Sequence, residues 1–366
     1  MPRPGFSILR TAVLRCSVIA TFQLRGALTL GLGFAMAGAM AGCAGKPPSR
    51  VELPQQLPIE FQKKFEIEDP STELAAASES LPHVLAGKRR SHRRRQHHSI
   101  ARKRKSFVKL TETTVPAVHF VIPDRRPEKD PIWIGEKLTY EITYMGLPAG
   151  DFTLEVLPFK VIDGHKVYHV RGVAQSSSVF SLFYRLHDLV ESFFDYQGLF
   201  SYRFHLVLDE TKQSRDALEL YDDQKGETFY WNRWNHRDRG YIESKEYGKI
   251  QPLSQDSISA LFYVRTLTLA PNTVVSFPVV SEGKAWEAMV TVVRREMLDT
   301  PFGRIRTIVV KPETKFEGVL QKKGDSFLWL TDDERHFLVR VEAKVKIGTV
   351  VGKLKTVDSL GSPPVP

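Results

Sequence analysis

The chain has 366 residues, 42% of them hydrophobic and 26% charged, with a net charge of +10, enough for one large domain or two smaller ones. Residues 88–105 hold ten Lys or Arg and no acid, so the excess basic charge belongs to that tract and the rest of the chain is balanced; the basic character describes one short tract and excludes a uniformly basic folded surface. The two cysteines, Cys16 and Cys43, both precede the patterned part of the chain, which excludes a disulfide framework or a cysteine metal site there.

Residues 1–43 contain Arg3, Arg10, Arg15 and Arg25 and no acid, and Gly26 to Gly42 carry no charge. A positive start, a short apolar run and small residues at its end make an export signal; the run is too short and too rich in Gly and Ala for a membrane span. Met40-Ala41-Gly42-Cys43 resembles the bacterial lipobox, with Met40 where Leu is usual. The resemblance implies a signal peptide over 1–42, acylation of Cys43 (palmitate among its chains) and a lipid anchor. Ala44 after the cysteine implies the outer membrane, facing the periplasm or the cell surface. The alternative is an uncleaved anchor in which Cys43 is incidental.

Residues 43–130 read as a disordered tether. Pro47, Pro48, Pro54, Pro58, Pro70 and Pro82 interrupt it, and no period persists. As a flexible chain it would span about 50 Å. Its basic tract, 88–105, suits anionic lipid, lipopolysaccharide phosphates or an acidic envelope partner. The plain alternative is a solubilising charge run. Beyond an export signal no nucleic acid is expected. His92, His97 and His98 lack a fixed scaffold for a metal.

From 131 to 360 the pattern is that of strands. Leu138, Tyr140, Ile142 and Tyr144 alternate with Lys137, Thr139, Glu141 and Thr143, giving one apolar and one polar face. Phe152, Leu154 and Val156 repeat this after a connection, Met145 to Gly150, that reads as a longer hairpin loop. Tyr202 to Leu208 should pair with Leu218 and Leu220, and further alternation follows through Phe229 and Trp231, Trp286 to Val292, Ile305 to Val309, Phe327 and Trp329, and Phe337 to Val345. The expectation is a mainly β domain of about a dozen strands, an antiparallel curved sheet, half-barrel or barrel with two short helices.

The first helix is expected over Val179, Leu182, Phe183, Leu186 and Val190, capped within Ser176 to Ser178; the second follows Asp256 through Ile258, Leu261, Phe262 and Leu269. Arg265 lies on the apolar stripe of the second. A guanidinium facing a core needs a carboxylate, and Asp188, Glu191 or Asp195 are the candidates. Arg265 is thus a structural ion-pair partner or, alternatively, the holder of an anionic ligand head group.

Enzymatic motifs are sparse. There is no Gly-x-Ser-x-Gly, Ser-x-x-Lys or His-Glu-x-x-His and no phosphate-binding glycine loop; no cofactor is implied. Asp332-Asp333-Glu334 reads as a solvated turn. Trp231 and Trp234, interleaved with Arg233, Arg237 and Arg239, could stack on a glycan, or simply form a hairpin with a basic tip.

Gly135 to Tyr140, Gly146-Leu147-Pro148-Ala149-Gly150, Phe183-Tyr184 with Asp188, Glu191-Ser192 and Asp195, Asp256 to Ala260 with Tyr263 and Arg265, Thr300-Pro301-Phe302-Gly303, and Trp329 to Arg335 occur in an order that resembles a bacterial family, the domain of unknown function numbered 3108. The likeness spans about 131–355. It implies an exported envelope protein and no particular activity. The final hairpin is loosely similar to that of half-barrel lipoprotein carriers. Together these give a lipid-anchored, non-enzymatic envelope protein whose β-domain binds a hydrophobic or amphiphilic ligand or a partner protein. The alternatives are a cell-wall hydrolase with an unfamiliar acid pair and a glycan-binding structural lipoprotein.

Overall fold

The computed structural model describes residues 50–51, 57–70, 121–316, 319–320, 325–345 and 348–364. The signal segment, Cys43 and the basic tract at 88–105 lie outside the described residues.

Eight strands run as a meander: β1 (Ile134–Tyr144), β2 (Leu147–Ile162), β3 (His165–Ser176), β4 (His187–Asp195), β5 (Ser201–Asp209), β6 (Gln213–Asp222), β7 (Glu227–His236) and β8 (Gly240–Lys249). A second meander follows: β9 (Val274–Ser281), β10 (Lys284–Thr300), β11 (Gly303–Phe316), the two-residue β12 (Val319–Leu320), β13 (Ser326–Thr331), β14 (Leu338–Lys344) and β15 (Thr349–Ser362). Strand β15 pairs antiparallel with β1, which joins both meanders into one sheet ordered β8 to β1, then β15, β14, β13, β11, β10, β9. The expected antiparallel curved sheet is observed. Its helices are α1 (Ile59–Phe65), the four-residue α2 (Ser178–Ser181) and α3 (Ser257–Arg265).

Strands β8 and β9 share no ladder, but the sheet rolls until its ends meet. The Tyr221 hydroxyl donates to the Val280 carbonyl at 3.3 Å, and the Glu219 carboxylate accepts the backbone N–H groups of Glu282 and Gly283 at 3.0 and 2.8 Å. A Cβ at Gly248 would lie 2.2 Å from the Gly283 carbonyl oxygen, so glycine permits this approach. Inside the roll, the backbone of Gln255 bonds to β9 through Pro278 and Val280, and the carbonyl of Ser254 accepts from Ser201 of β5.

Helix α3 lies on the concave side. Asp256 caps it, accepting from the N–H groups of Ile258 and Ser259 at 2.7 and 2.8 Å, while the Ser259 hydroxyl accepts from the Asp256 N–H in return. Its Ala260, Leu261, Phe262 and Val264 pack with Leu154, Val170, Phe194, Phe277 and Val309 in one core.

Four expectations need correction. The β1–β2 connection is a two-residue turn: Met145 and Gly146 both have positive φ, 52° and 82°, the geometry that matches strand twist. The remaining loop residues belong to β2, with a register shift after Ile142. The first helix stops at Ser181, because Asp188, Val190, Ser192 and Phe194 form a strand paired on both sides; two ladders outweigh a weak helical spacing. The described helices number three, not two. Finally, 57–70 and 121–130 are not free tether. Phe61 and Phe65 of α1, with Leu57, Ile67 and Ile122, cover Leu218, Leu220, Phe229 and Trp231 on the convex side, and Glu68 bridges to Val161. All ten residues of β6 are buried, Leu218 and Leu220 under this cover and Tyr221 on the other face against Ile250 and Val280.

Candidate functional site

Arg265 ends α3 fully buried, but its partner is not Asp188, Glu191 or Asp195. Its Nη1 and Nη2 donate to the two carboxylate oxygens of Glu136 on β1 at 2.7 and 2.8 Å. Nη2 also donates to the Pro131 carbonyl and Nε to that of Arg335, at 3.0 and 3.1 Å. Arg335 shares Glu136 at 2.7 Å and lies over the Trp133 ring, 3.7 Å from its centroid. All three guanidinium nitrogens of Arg265 donate to protein, so the group clamps α3 and the β13–β14 turn onto β1. Glu136 was missed because Gly135-Glu136-Lys137 reads as the wet start of a strand.

Asp188 and Glu191 sit on opposite faces of β4, as residues three apart must. Asp188, 0% exposed, faces Glu210 within the sheet. Burial, then the Glu210 charge, push its carboxyl up to about 9. Burial also raises Glu210, which accepts from Tyr184 at 2.5 Å and Gln213 at 2.6 Å. One proton shared between the two acids satisfies this geometry. Glu191 faces outward, and the hydrogen bond with His169 at 2.9 Å holds its carboxyl below the ordinary range. It continues a convex-side polar ladder with Glu155–Arg171 and His205–Asp216–Arg233. Cys43, the expected lipid attachment site, lies outside the described residues.

Trp231 and Trp234 also lie on opposite faces. Trp231 packs in the cluster under α1, whereas Trp234 donates Nε1 to Gln213 at 2.7 Å. They do not line one groove. Asp332 binds Arg295 and Arg306, and Asp333 accepts three turn donors, the N–H groups of Arg335 and His336 and the Thr331 hydroxyl; the cluster is a turn.

The two ends of the first meander differ in chemistry. At one end, the β1–β2 turn and α2 are tied by the Ser177 N–H donating to the Ala149 carbonyl at 2.8 Å. They present Met145, Leu147, Val179, Leu182 and Phe183, exposed to 61, 67, 69, 81 and 81%. The neighbouring turns at the same end carry Lys212, Arg237 and Arg239, joined by the Arg237 N–H donating to the Lys212 carbonyl. Arg185 is held there by Asp209 at 2.9 Å, and Tyr241 is exposed beside them.

At the opposite end, the β2–β3, β4–β5 and β6–β7 connections meet α1 and Ile122 around a cavity of about 220 Å³. Its wall includes His165, Tyr202, Gln197, Asp223, Gln224 and Lys64. Asp223 accepts from the Leu253 N–H at 2.7 Å through Oδ1, while its buried Oδ2 has no hydrogen-bond partner. Burial pushes this carboxyl up to about 7.

A family model described as protein of unknown function (DUF3108) matches residues 139–355, from β1 into β15. The chain belongs to the DUF3108 family. The match covers most of both meanders of this DUF3108 domain, with the apolar turns and Arg265 inside it, while the cavity's Lys64 and Ile122 lie before it. No curated protein matches the chain. Among solved structures it is similar to a β-barrel-like protein of domain of unknown function DUF1849 from Brucella abortus, with a TM-score of 0.39 and 11% identity over 61% of this chain and 97% of that one. It is also similar to a candidate lipoprotein from Parabacteroides distasonis (TM-score 0.27, 10% identity, 60% and 94% covered) and to a candidate exported protein with a YmcC-like fold from Bacteroides fragilis (0.27, 11%, 66% and 99%). Likenesses this distant assign neither a ligand nor an activity to the DUF3108 domain.

Proposed function

We propose that this chain is a lipid-anchored outer-membrane protein of the bacterial envelope, held through Cys43, whose β-domain is a non-enzymatic module that engages an anionic amphiphile. The observation that carries the reading is the apolar end of the first meander. Leu182 and Phe183 are each 81% exposed, and Met145, Leu147 and Val179 surround them, although a soluble monomer rarely groups large apolar side chains at adjoining turns. Lys212, Arg237 and Arg239 flank them on adjoining turns. Apolar tips beside basic side chains suit the boundary between acyl chains and anionic head groups. Each large apolar side chain buried there contributes about 1.5–3 kcal/mol at full burial. The basic tract at 88–105 would add attraction to the same surface, as an acidic partner or lipopolysaccharide would also supply.

The hydrolytic alternative gains nothing from the acid pair of Asp188 and Glu210, since the two are 0 and 1% exposed and a substrate has no path to them. The test is vesicle flotation of the full chain carrying Cys43→Ser, which removes the acyl anchor. The domain should float with phosphatidylglycerol-containing vesicles and less with phosphatidylcholine alone. A Leu182→Glu/Phe183→Glu variant should float markedly less than the parent, with an unchanged melting temperature, the basic tract alone accounting for what still floats. Equal flotation of that variant overturns the reading.

A further inference from the structure

Residues 50 and 51 lie against β6 at the end that carries the apolar turns. The Val51 N–H donates to the Ser214 hydroxyl at 3.0 Å, and Arg50 beside it is exposed. Ser214, the second residue of β6, is 2% exposed and pairs with Asp209 and Asn235. The turn before it is bonded to the connection between α2 and β4. Thr211 N–H donates to the Arg185 carbonyl at 2.9 Å, and the Arg185 N–H donates to the Thr211 hydroxyl at 2.7 Å. Arg185 stands two residues after Phe183, and Asn235 leads within four residues to Arg237 and Arg239. Farther along the same N-terminal segment, Phe61 and Phe65 cover Leu218 and Leu220, and Lys64 donates to Asp222 at the other end of β6, at 2.8 Å. The segment is thus laid along β6 in one direction, with its Cys43 side at the apolar end.

This entry point sets the length of the link to the anchor. Seven residue steps separate Cys43 from Arg50, at most about 25 Å when fully extended and about 15 Å as a flexible chain. That replaces the about 50 Å expected of a tether reaching residue 130. Residues 44–51 carry Lys46 and Arg50 and no acid, so anionic head groups attract the link as they attract Lys212, Arg237 and Arg239. From Ser214 to Asp222 is about 27 Å of strand. With the Asp222 end against the leaflet, Arg50 would stand about that far above it, at the limit of the link. With the apolar end against the leaflet, the link has slack.

We propose that the apolar end docks on the leaflet that holds this same molecule's acyl chains, so that the domain stands with Leu182 and Phe183 at the head groups and the β6–β7 turn pointing away. The inference rests on the acylation of Cys43 and on the amphiphile reading, and adds which lipid surface is met and in which orientation. A link this short gives the apolar end an effective concentration at its own leaflet on the order of millimolar. Contacts too weak to hold a free domain therefore suffice once Cys43 is acylated.

The test uses the acylated full chain, purified from membranes and reconstituted on phosphatidylglycerol-containing vesicles with acceptor-labelled lipid. One donor fluorophore is attached through Asp238→Cys, on the turn beside Arg237 and Arg239, or through Lys225→Cys at the opposite end; Cys43 is blocked by its thioether and Cys16 precedes the cut. Energy transfer should place the label at 238 nearer the leaflet than that at 225 by about 20–30 Å. In the acylated Leu182→Glu/Phe183→Glu variant the short link alone should still keep 238 the nearer, and about twenty Gly and Ser residues inserted after Pro48 should narrow that difference. Equal transfer from the two labels in the parent, stronger transfer from 225, or a difference in the double variant that the insertion leaves unchanged would each overturn the proposal. Flotation of the Cys43→Ser chain tests the amphiphile reading by itself, so a soluble chain that floats beside an acylated chain without orientation marks failure of this inference alone.

Discussion

Arg265→Ala probes the clamp that holds α3 inside the roll. The substitution removes two charge-assisted bonds to Glu136, at 2.7 and 2.8 Å, and two bonds to carbonyls, at 3.0 and 3.1 Å. Glu136 is left in a site where its side chain is 2% exposed, yet Arg335 still reaches it at 2.7 Å. Breaking a buried pair costs about 3–5 kcal/mol, and the surviving partner places this variant near the lower figure. At about 2–4 °C per kcal/mol for a domain of this size, the melting temperature should fall by about 6–12 °C. Glu136→Ala should cost more, because it leaves the buried Arg265 and the half-buried Arg335 guanidinium groups facing each other without their anion. The double variant should lose less than the sum of the two, with a coupling of about 0.5–3 kcal/mol. Calorimetric melts at pH 7 measure all three. A melting temperature within about 2 °C of the parent for Arg265→Ala would refute the structural role and return Arg265 to the ligand-holding alternative.

Asp188→Asn should stabilise the domain at neutral pH: Asn mimics the protonated acid, retains an acceptor for the Asp209 N–H and can donate to Glu210, and a lower melting temperature would count against the shared proton. Burial holds the Glu219 carboxyl at about 7 against an ordinary 4.5, so its contribution is fully present below about 4.5 and lost as pH rises through 7. The melting temperature should therefore decline across that window, and Glu219→Gln should flatten the decline. Phe65→Ala, at a site 1% exposed, should cost about 3–5 kcal/mol and open the α1 segment to trypsin at Lys63 and Lys64; resistance equal to the parent would show that α1 adds nothing to the fold.

Alternation made the strands legible, because a sheet with one wet face writes its period into the chain. Leu138 to Tyr144 and Tyr202 to Leu208 are strands for that reason, and Asp256 marked its helix because a cap is a local signal. What escaped were features set by long-range closure. Glu136 meets Arg265 across 129 positions, and nothing near either residue names the other. Seven residues of α1 carry too short a period to stand out from a proline-rich stretch, yet Phe61 and Phe65 complete the cluster on β6 and β7. The cavity joins side chains from three turns and α1, each an ordinary turn residue in its own neighbourhood. Phe183 falls at helical spacing with Val179 and Leu186, but the strand that begins at His187 leaves it exposed at the tip.

The central claim is that the end bearing Leu182 and Phe183 meets an anionic amphiphile, and a positioned probe tests it most directly. With Cys16 and Cys43 replaced by serine, an environment-sensitive fluorophore is attached through Phe183→Cys and, in a second protein, through Lys225→Cys at the opposite end. On phosphatidylglycerol vesicles the label at 183 should shift to the blue and be quenched by lipid-borne quenchers, while that at 225 should keep its aqueous spectrum. Unchanged spectra at 183, or the same shift at both ends, would contradict the account.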